Sequence, residues 1–244
     1  MPSKSQILQK LEKLKFAFDT REIPQLHEHE VHPELDIGSR ENYLYFIMTC
    51  SLNFQRLSPN TWKSALATWN DRETQFVFFP EKVGETSEGA LRQALLKHKL
   101  ALQPQKHIAI WKTLSHTWNA YFQDDPRNLF SQNDFEVAKI LEIVQKDMKK
   151  DFPYLSGLKL SNYFLFILSK FTDIAFKDSY NISIIPDTHI MQATQVLWIL
   201  EKNQITPQNV EFAWKELLEG TRYSPVDFHS ILWNRSRNKF VPKI

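Results

Sequence analysis

Residues 153–200 decide the fold that we predict from the sequence, and they read PYLSGLKLSNYFLFILSKFTDIAFKDSYNISIIPDTHIMQATQVLWIL. The apolar residues between about Leu160 and Lys170 predict a helix, and the Pro- and Gly-containing turn before them marks where it begins. Pro186 and Asp187 predict the start of another helix, because Asp is a favoured N-cap residue and apolar residues follow at helical spacing. The stretch therefore predicts a helix, a loop and a second helix.

The rest of the chain is also dominated by helix signals. A Ser or Thr followed by Pro, which is typical of a helix start, precedes three apolar runs, at Ser58-Pro59, Thr206-Pro207 and Ser224-Pro225. Apolar residues at helical spacing mark residues 91–100, 108–118 and 135–148. Two short apolar runs, 76–79 and 182–185, are compatible with strands or with extended loops. We therefore predict an all-α protein.

Composition narrows the possible classes of protein. The 244 residues suffice for one large domain or two small ones, and the 5 glycines argue against dinucleotide-binding loops and turn-rich β folds. The single cysteine, Cys50, excludes a disulfide framework, a Cys₄ metal site and an iron–sulfur cluster within the chain. The charged N-terminus and the short apolar runs predict neither a secretory signal nor a membrane span. We expect a cytoplasmic protein.

The charge balance gives little indication of a partner by itself. The formal net charge is +2, with 30 Lys and Arg residues against 28 Asp and Glu residues. A surface for nucleic acid would therefore have to come from local clustering of cations.

The domain organisation is predicted from the helix signals and from one polar stretch. Residues 1–40 are expected to form an N-terminal helix and an extended arm, and residues 41–244 a helical domain. The arm contains a His- and Glu-rich group, namely His27, Glu28, His29, Glu30 and His32. Because this spacing matches no catalytic metal motif on a helix, we predict no metal site there.

Two motifs carry a resemblance to a known superfamily. Gly157-x-Lys159 is similar to the end of the Leu-Pro-Gly-Val-Gly-x-Lys hairpin of the helix-hairpin-helix DNA glycosylases. Pro186-Asp187-Thr188-His189-Ile190 resembles the Val-Asp-Thr-His helix start that follows the hairpin in that superfamily. The hairpin would span about residues 138–172 and the catalytic helix start residues 186–201. The resemblance implies two helical lobes with a cleft between them.

Two further segments narrow the resemblance to archaeal-type 8-oxoguanine DNA glycosylases. Residues 224–233 are similar to the Pro-Leu-His-Leu-Asp-Ser-Ile-Leu-Trp segment of those enzymes. Residues 53–62 resemble their Ser-Tyr-Gln-Leu-Ser…Trp helix, and residues 97–112 resemble the basic helix between these segments. The likeness extends over about residues 43–233.

The resemblance implies a base-excision enzyme that flips an oxidised purine, such as 8-oxoguanine, out of double-stranded DNA. It assigns nucleophilic attack at C1′ to Lys159, with Schiff-base formation and AP-lyase cleavage of the strand. It assigns to Asp187 the stabilisation of the positive charge that develops on the sugar. The matching positions for the substrate base are Gln55, Trp233 and His229, and those for DNA are Asn53, Gly157 and Ser161. It implies no dissociable cofactor, a monomer, and association with the nucleoid if the source is prokaryotic.

The sequence departs from the family pattern at two places. Leu155 stands where the hairpin usually has a glycine. A second register, with Leu155-Ser156-Gly157 on Leu-Pro-Gly, puts Ser161 at the lysine position and implies a glycosylase without a covalent lysine. His229 stands where the archaeal enzymes have Asp, which leaves the identity of the base open.

Other functions and simpler structural roles remain open from the sequence. The first alternative is a monofunctional glycosylase or nucleoside hydrolase that uses Asp187 and water. The second is a DNA-binding module that keeps the fold without the chemistry. From local sequence, Asp187 is an N-cap, Lys159 a solvated lysine and Trp233 a core residue. Local sequence also indicates that Gln55 is a surface amide.

Overall fold

The computed structural model describes residues 2–24 and 31–243. Within these residues the chain forms α-helices, short 3₁₀ turns and one π-helical turn, and no β-strand is present. The all-α prediction is confirmed. The first apolar run, 76–79, lies mostly in a 3₁₀ turn formed by residues 75–78, and residues 182–185 form a buried extended segment.

The described residues form twelve α-helices in chain order. They are α1 Lys4–Asp19, α2 Arg40–Ser51, α3 Ser58–Asn70, α4 Pro80–Glu85, α5 Glu88–Lys97, α6 Pro104–Phe122, α7 Arg127–Ser131, α8 Val137–Glu142, α9 Leu158–Phe171, α10 Thr188–Val196, α11 Pro207–Leu218 and α12 His229–Arg237. A π-helical turn, Ile143–Asp147, continues α8. No helix in the described part of the chain is both long and apolar enough to cross a membrane.

The chain divides into two compact units. The first combines both ends of the chain, Met1–Leu26 and Ser179–Ile244, and the second is His27–Asp178. The N-terminal helix α1 therefore belongs with α10, α11 and α12, whereas α2 to α9 form the second unit.

The core of the first unit joins the two ends of the chain. Apolar residues of α1, including Leu11 and Leu14, belong to the same buried cluster as Trp214 of α11 and Leu232 of α12. The indole nitrogen of Trp214 donates to Thr194 Oγ1 of α10 at 2.9 Å, so this buried polar atom is satisfied. Burial of apolar surface between these helices is the main source of the unit's stability.

The core of the second unit surrounds α2. Ten of the twelve residues of α2, from Asn42 to Ser51, are buried, so this helix is apolar or small on nearly all sides. Aromatic rings fill the space around it, and Tyr45 contacts Trp62, Trp69 and Phe78 at centroid distances of 6.1, 5.6 and 5.4 Å. A helix buried on all sides fixes the neighbouring helices in place because each packs on a different face.

A chain of buried hydrogen bonds links α9 to α3. Trp62 Nε1 donates to the Tyr163 hydroxyl at 3.2 Å, and this hydroxyl is also 3.2 Å from Ser58 Oγ. Asn53 Nδ2 donates to Ser58 Oγ at 3.1 Å, and Asn53 Oδ1 accepts from Thr61 Oγ1 at 3.1 Å. The loop between α2 and α3 is therefore held to α9 by polar contacts in addition to packing.

The helix starts predicted from Ser/Thr-Pro pairs have different outcomes. The Thr206 prediction is confirmed, because its side chain accepts from the Asn209 backbone N–H. The cap predicted at Ser58 is wrong: Leu57 is the N-cap residue, and the Ser58 hydroxyl is used in the chain of bonds to α9. Ser224 starts a 3₁₀ turn that leads into α12, and it forms a capping box with Asp227.

His107 fixes the turn before α6 through an uncharged ring. The ring is buried, and its Nδ1 accepts the Leu102 backbone N–H at 3.0 Å. Burial lowers the pKa of His107, and the positive charges of Arg56 and Lys106 lower it further. Protonation would remove the acceptor, so the fold requires the neutral ring.

We expect the stability of the protein to fall as the pH drops below the ordinary His pKa of about 6.5, in part because of His107. Below that pH the unfolded chain binds a proton that the folded chain binds only at lower pH, so acid favours unfolding. His107→Asn keeps an acceptor and removes the titration, and should reduce this loss in urea unfolding between about pH 7.5 and about pH 5.5. His116→Asn, at an exposed position on the same helix, is the control. An equal loss in wild type and His107→Asn would contradict the assignment.

Candidate functional site

Asp187 begins α10 and leaves part of its carboxylate available. The residue follows the buried Pro186, has extended backbone angles and caps the helix, with Oδ1 accepting the Ile190 N–H at 2.9 Å. The side chain is half-buried. Among the described residues, no hydrogen bond or ion pair engages Oδ2. A positioned carboxylate oxygen of this kind can stabilise a neighbouring positive charge or accept a proton.

An aromatic and cationic group lies on α12 and on α10, the helix that Asp187 caps. The rings of His189, in the first turn of α10, and Trp233, on α12, are 5.5 Å apart at an interplanar angle of 72°. The guanidinium carbon of Arg237 lies 4.6 Å from the centroid of the Trp233 ring. Trp233 is partly buried against the core of the first unit, so Arg237 covers a face of a ring that is already held in place.

The ring of His189 is oriented by α12. Its Nδ1 lies 3.1 Å from Ser236 Oγ, and that hydroxyl donates to Gln192 Oε1 at 3.4 Å. The first unit thus presents a carboxylate, an imidazole and an indole on two packed helices.

His229 lies deeper on the same face of α12. Positions 229, 233 and 237 are spaced by four residues and therefore follow one another along the helix. His229 is 6% exposed, whereas Trp233 is half-buried and Arg237 is exposed.

The predicted hairpin in the second unit is a turn that leads into α9. Gly157 is the N-cap residue of α9 and makes no side-chain cap. Its N–H donates to the Tyr154 carbonyl at 3.0 Å, and a Cβ at Gly157 would lie 3.3 Å from that oxygen, closer than most Cβ contacts. Tyr154 has a φ of 66°, in the left-handed region that favours glycine. Lys159 lies in the first turn of α9 with its side chain exposed.

The side chains of Ser161 and Asn53 each make two hydrogen bonds to other residues of the second unit. Ser161 is fully buried, and its Oγ donates to the Leu158 carbonyl at 3.1 Å and accepts from Gln145 Nε2 at 2.6 Å. Asn53 uses both ends of its amide in the bonds to Ser58 and Thr61. Neither side chain has a free polar atom directed at solvent, so a contact with DNA at these positions would have to come from the backbone.

Gln55 lies in the loop between α2 and α3 with an exposed side chain and a φ of 54°. Its polar amide is open to solvent, which is compatible with reading the edge of a base. The residue before it, Phe54, contacts Tyr154 of the hairpin turn with ring centroids 4.9 Å apart. The loop of Gln55 and the turn before Lys159 are therefore neighbours within the second unit.

The predicted site residues are divided between the two units. Asp187, His229 and Trp233 belong to the first, and Asn53, Gln55, Gly157, Lys159 and Ser161 belong to the second. The sequence analysis missed the roles of His189 and Arg237 beside Trp233. The spacing of four residues from Trp233 to Arg237 is the signal that indicates the second of these.

No metal site is predicted at the His- and Glu-rich group, and of this group the structure describes only His32. Residues 27 to 30 lie outside the described residues. His32 contacts the rings of Phe46 and Phe171, each at 5.3 Å, and its Nδ1 lies 2.9 Å from the Pro33 carbonyl. In the described part of the chain, no group of three His, Cys, Asp or Glu side chains is placed to hold a metal ion.

Comparisons with protein-family models and with curated proteins found no match to this chain.

Substitutions at Asp187 should separate capping from charge. Asp187→Ala removes the bond to the Ile190 N–H and should lower the free energy of unfolding by about 1 kcal/mol. Asp187→Asn keeps a capping oxygen and should change it by only a few tenths of a kcal/mol. Urea unfolding of both variants measures the difference. Equal destabilisation by the two changes would show that the charge, rather than the cap, holds the start of α10.

Proposed function

We propose that the protein is a base-excision DNA glycosylase that acts on an oxidised purine. The observation that carries the proposal is the half-buried Asp187 carboxylate, fixed through one oxygen at the start of α10. The His189 ring, in the first turn of the same helix, contacts the Trp233 ring of α12. A fixed carboxylate suits a reaction that builds positive charge on a sugar, and an indole suits the stacking of a flipped base. The resemblance at residues 186–190 supports the same role.

The proposed reaction breaks the N-glycosidic bond at C1′. As the base leaves with the bonding electron pair and takes up a proton, positive charge develops on the deoxyribose, and the Asp187 carboxylate stabilises it. In the lyase form of the reaction, the amine of Lys159 bonds to C1′ as the base leaves, and the new C–N nitrogen loses a proton to solvent. The C1′–O4′ bond then breaks, O4′ takes up a proton, and the nitrogen lone pair forms the protonated imine. β-Elimination then expels the 3′-phosphate, and water hydrolyses the imine. No cofactor takes part in any of these steps.

Lys159 is exposed, which sets a condition on the lyase reaction. Bound DNA would have to remove water from the amine before it can react. Attack by water, assisted by Asp187, does not require the removal of water from the Lys159 amine. The exposure of Lys159 therefore favours the monofunctional glycosylase as the second candidate.

In the proposed reaction, Trp233 of the first unit is the candidate for stacking the base, and Gln55 of the second unit is the candidate for reading its polar edge. Arg237 now lies over the Trp233 ring, so a base that stacks on this face has to displace the guanidinium. The ring of His229 can donate or accept where a carboxylate only accepts. A prokaryotic chromosome lies in the cytoplasm, so this substrate would place the protein there.

Asp187→Asn should abolish release of 8-oxoguanine from a labelled duplex under single-turnover conditions, while duplex affinity changes little. The carboxylate acts on charge that exists only in the transition state. Normal base release by a folded Asp187→Asn variant would refute its catalytic role. Release of an alkylated or deaminated base, with 8-oxoguanine untouched, would refute the assignment of the substrate.

Borohydride trapping distinguishes the two forms of the enzyme. If Lys159 forms the imine, reduction links the protein to a lesion-containing duplex, and Lys159→Gln abolishes the link. Lys63→Gln, at an exposed lysine of α3 in the same unit, should trap normally. Base release without trapping in wild type would favour the monofunctional reaction, and the absence of both would favour a DNA-binding module.

A further inference from the structure

Three separate segments of the second unit meet at one surface. The ring of Phe54, in the loop after α2, lies 4.9 Å from the ring of Tyr154, in the turn before α9. Lys106 Nζ, in the first turn of α6, lies 4.9 Å from the centroid of the same Tyr154 ring. Tyr154 is thus the common contact of the other two segments. We call this group the Tyr154 surface, and it consists of residues 53–58, 97–107 and 153–159.

Arg56 ties two of these segments together through the backbone. Its Nη1 donates to the Leu100 carbonyl at 2.7 Å, and its Nη2 is 3.3 Å from the Lys99 carbonyl. No carboxylate forms an ion pair with Arg56 in the described part of the chain, so its charge is not neutralised. Arg56 therefore positions the turn before α6 and contributes positive potential.

The surface exposes large apolar side chains. Leu57 is 71% exposed, Leu102 is 50% exposed and Phe54 is 36% exposed. One exposed apolar residue is ordinary on a folded protein. Apolar side chains grouped on adjoining segments, next to an aromatic pair, indicate a binding surface.

The same segments are rich in cations and contain no acidic residue. Their Lys and Arg residues are Arg56, Lys97, Lys99, Lys106 and Lys159. Lys97 is neutralised by Asp71 and Glu73, each at 2.7 Å. For the other four, the described residues provide no ion-pair partner.

We propose that the Tyr154 surface binds an unpaired polynucleotide strand. The bases stack on Phe54 and on the apolar side chains beside it, and the phosphates lie against Lys99 and Lys106. Rings with cations beside them, without acidic residues, provide both interactions that single-strand binding uses. The surface overlaps the proposed glycosylase site at Asn53, Gln55, Gly157 and Lys159. Strand binding goes beyond the glycosylase activity, because it requires neither Asp187 nor any chemistry at Lys159.

Fluorescence anisotropy with labelled oligo-dT and oligo-rU of about 12 nucleotides tests the proposal, and the two arms distinguish DNA from RNA. Phe54→Ala should weaken binding about tenfold or more, the loss expected for one stacked base. Lys106→Gln should weaken binding and reduce the slope of log affinity against log salt by about 0.7 for a lost phosphate contact. Phe212→Ala, at a 68% exposed position of the first unit, and Lys63→Gln should leave the affinity unchanged.

Two further measurements exclude other occupants of the surface. Equal strand affinity in Phe54→Ala, Lys106→Gln and wild type would overturn the proposal, as would the absence of strand binding at low salt. Sedimentation with vesicles of an anionic phospholipid, or self-association that Phe54→Ala abolishes, without strand binding, would assign the surface to a lipid or to a second copy. Asp187→Asn should bind oligo-dT like wild type. A failure of the glycosylase proposal would therefore not overturn the proposal of strand binding.

Discussion

The Tyr163 hydroxyl is the contact on which the geometry of the second unit depends. It accepts from Trp62 and lies within hydrogen-bond distance of Ser58, which in turn accepts from Asn53. A buried hydroxyl shared by two other polar groups has a narrow range of allowed positions, since each broken bond leaves a buried group unsatisfied. The loop that presents Phe54 and Gln55 is therefore fixed relative to α9, and α9 carries Lys159 in its first turn.

Several local features of the fold follow from sequence alone because they depend on neighbouring residues. Asp187 and Thr206 cap their helices as Asp and Thr do in general, and the apolar spacing of residues 108–118 places that stretch on a helix. Ser58 shows the limit of such local inference. Its hydroxyl is used by Asn53 and Tyr163, and Tyr163 is 105 positions away in the chain, so tertiary contacts replace the cap.

The candidate site is harder to predict because its contacts join distant segments. The Asp187 position follows from Pro186 and the helix start, but the ring contact of His189 with Trp233 depends on how α10 packs on α12. The contact between Phe54 and Tyr154 joins residues 100 positions apart, and Tyr154 has a left-handed backbone that sequence favours only for glycine. Net charge also conceals the Tyr154 surface, because acidic residues elsewhere in the chain cancel its cations.

The first unit is formed by two segments of the chain that are far apart in sequence, and this arrangement affects how the protein folds during synthesis. Leu11 and Leu14 of α1 are made before the second unit, but their buried partners on α11 and α12 are made after it. The second unit is complete before that time and can fold as a unit while α1 still exposes its apolar stripe. The nascent α1 is therefore a segment for which a chaperone has an extended period of access, which ends only when α12 has been made.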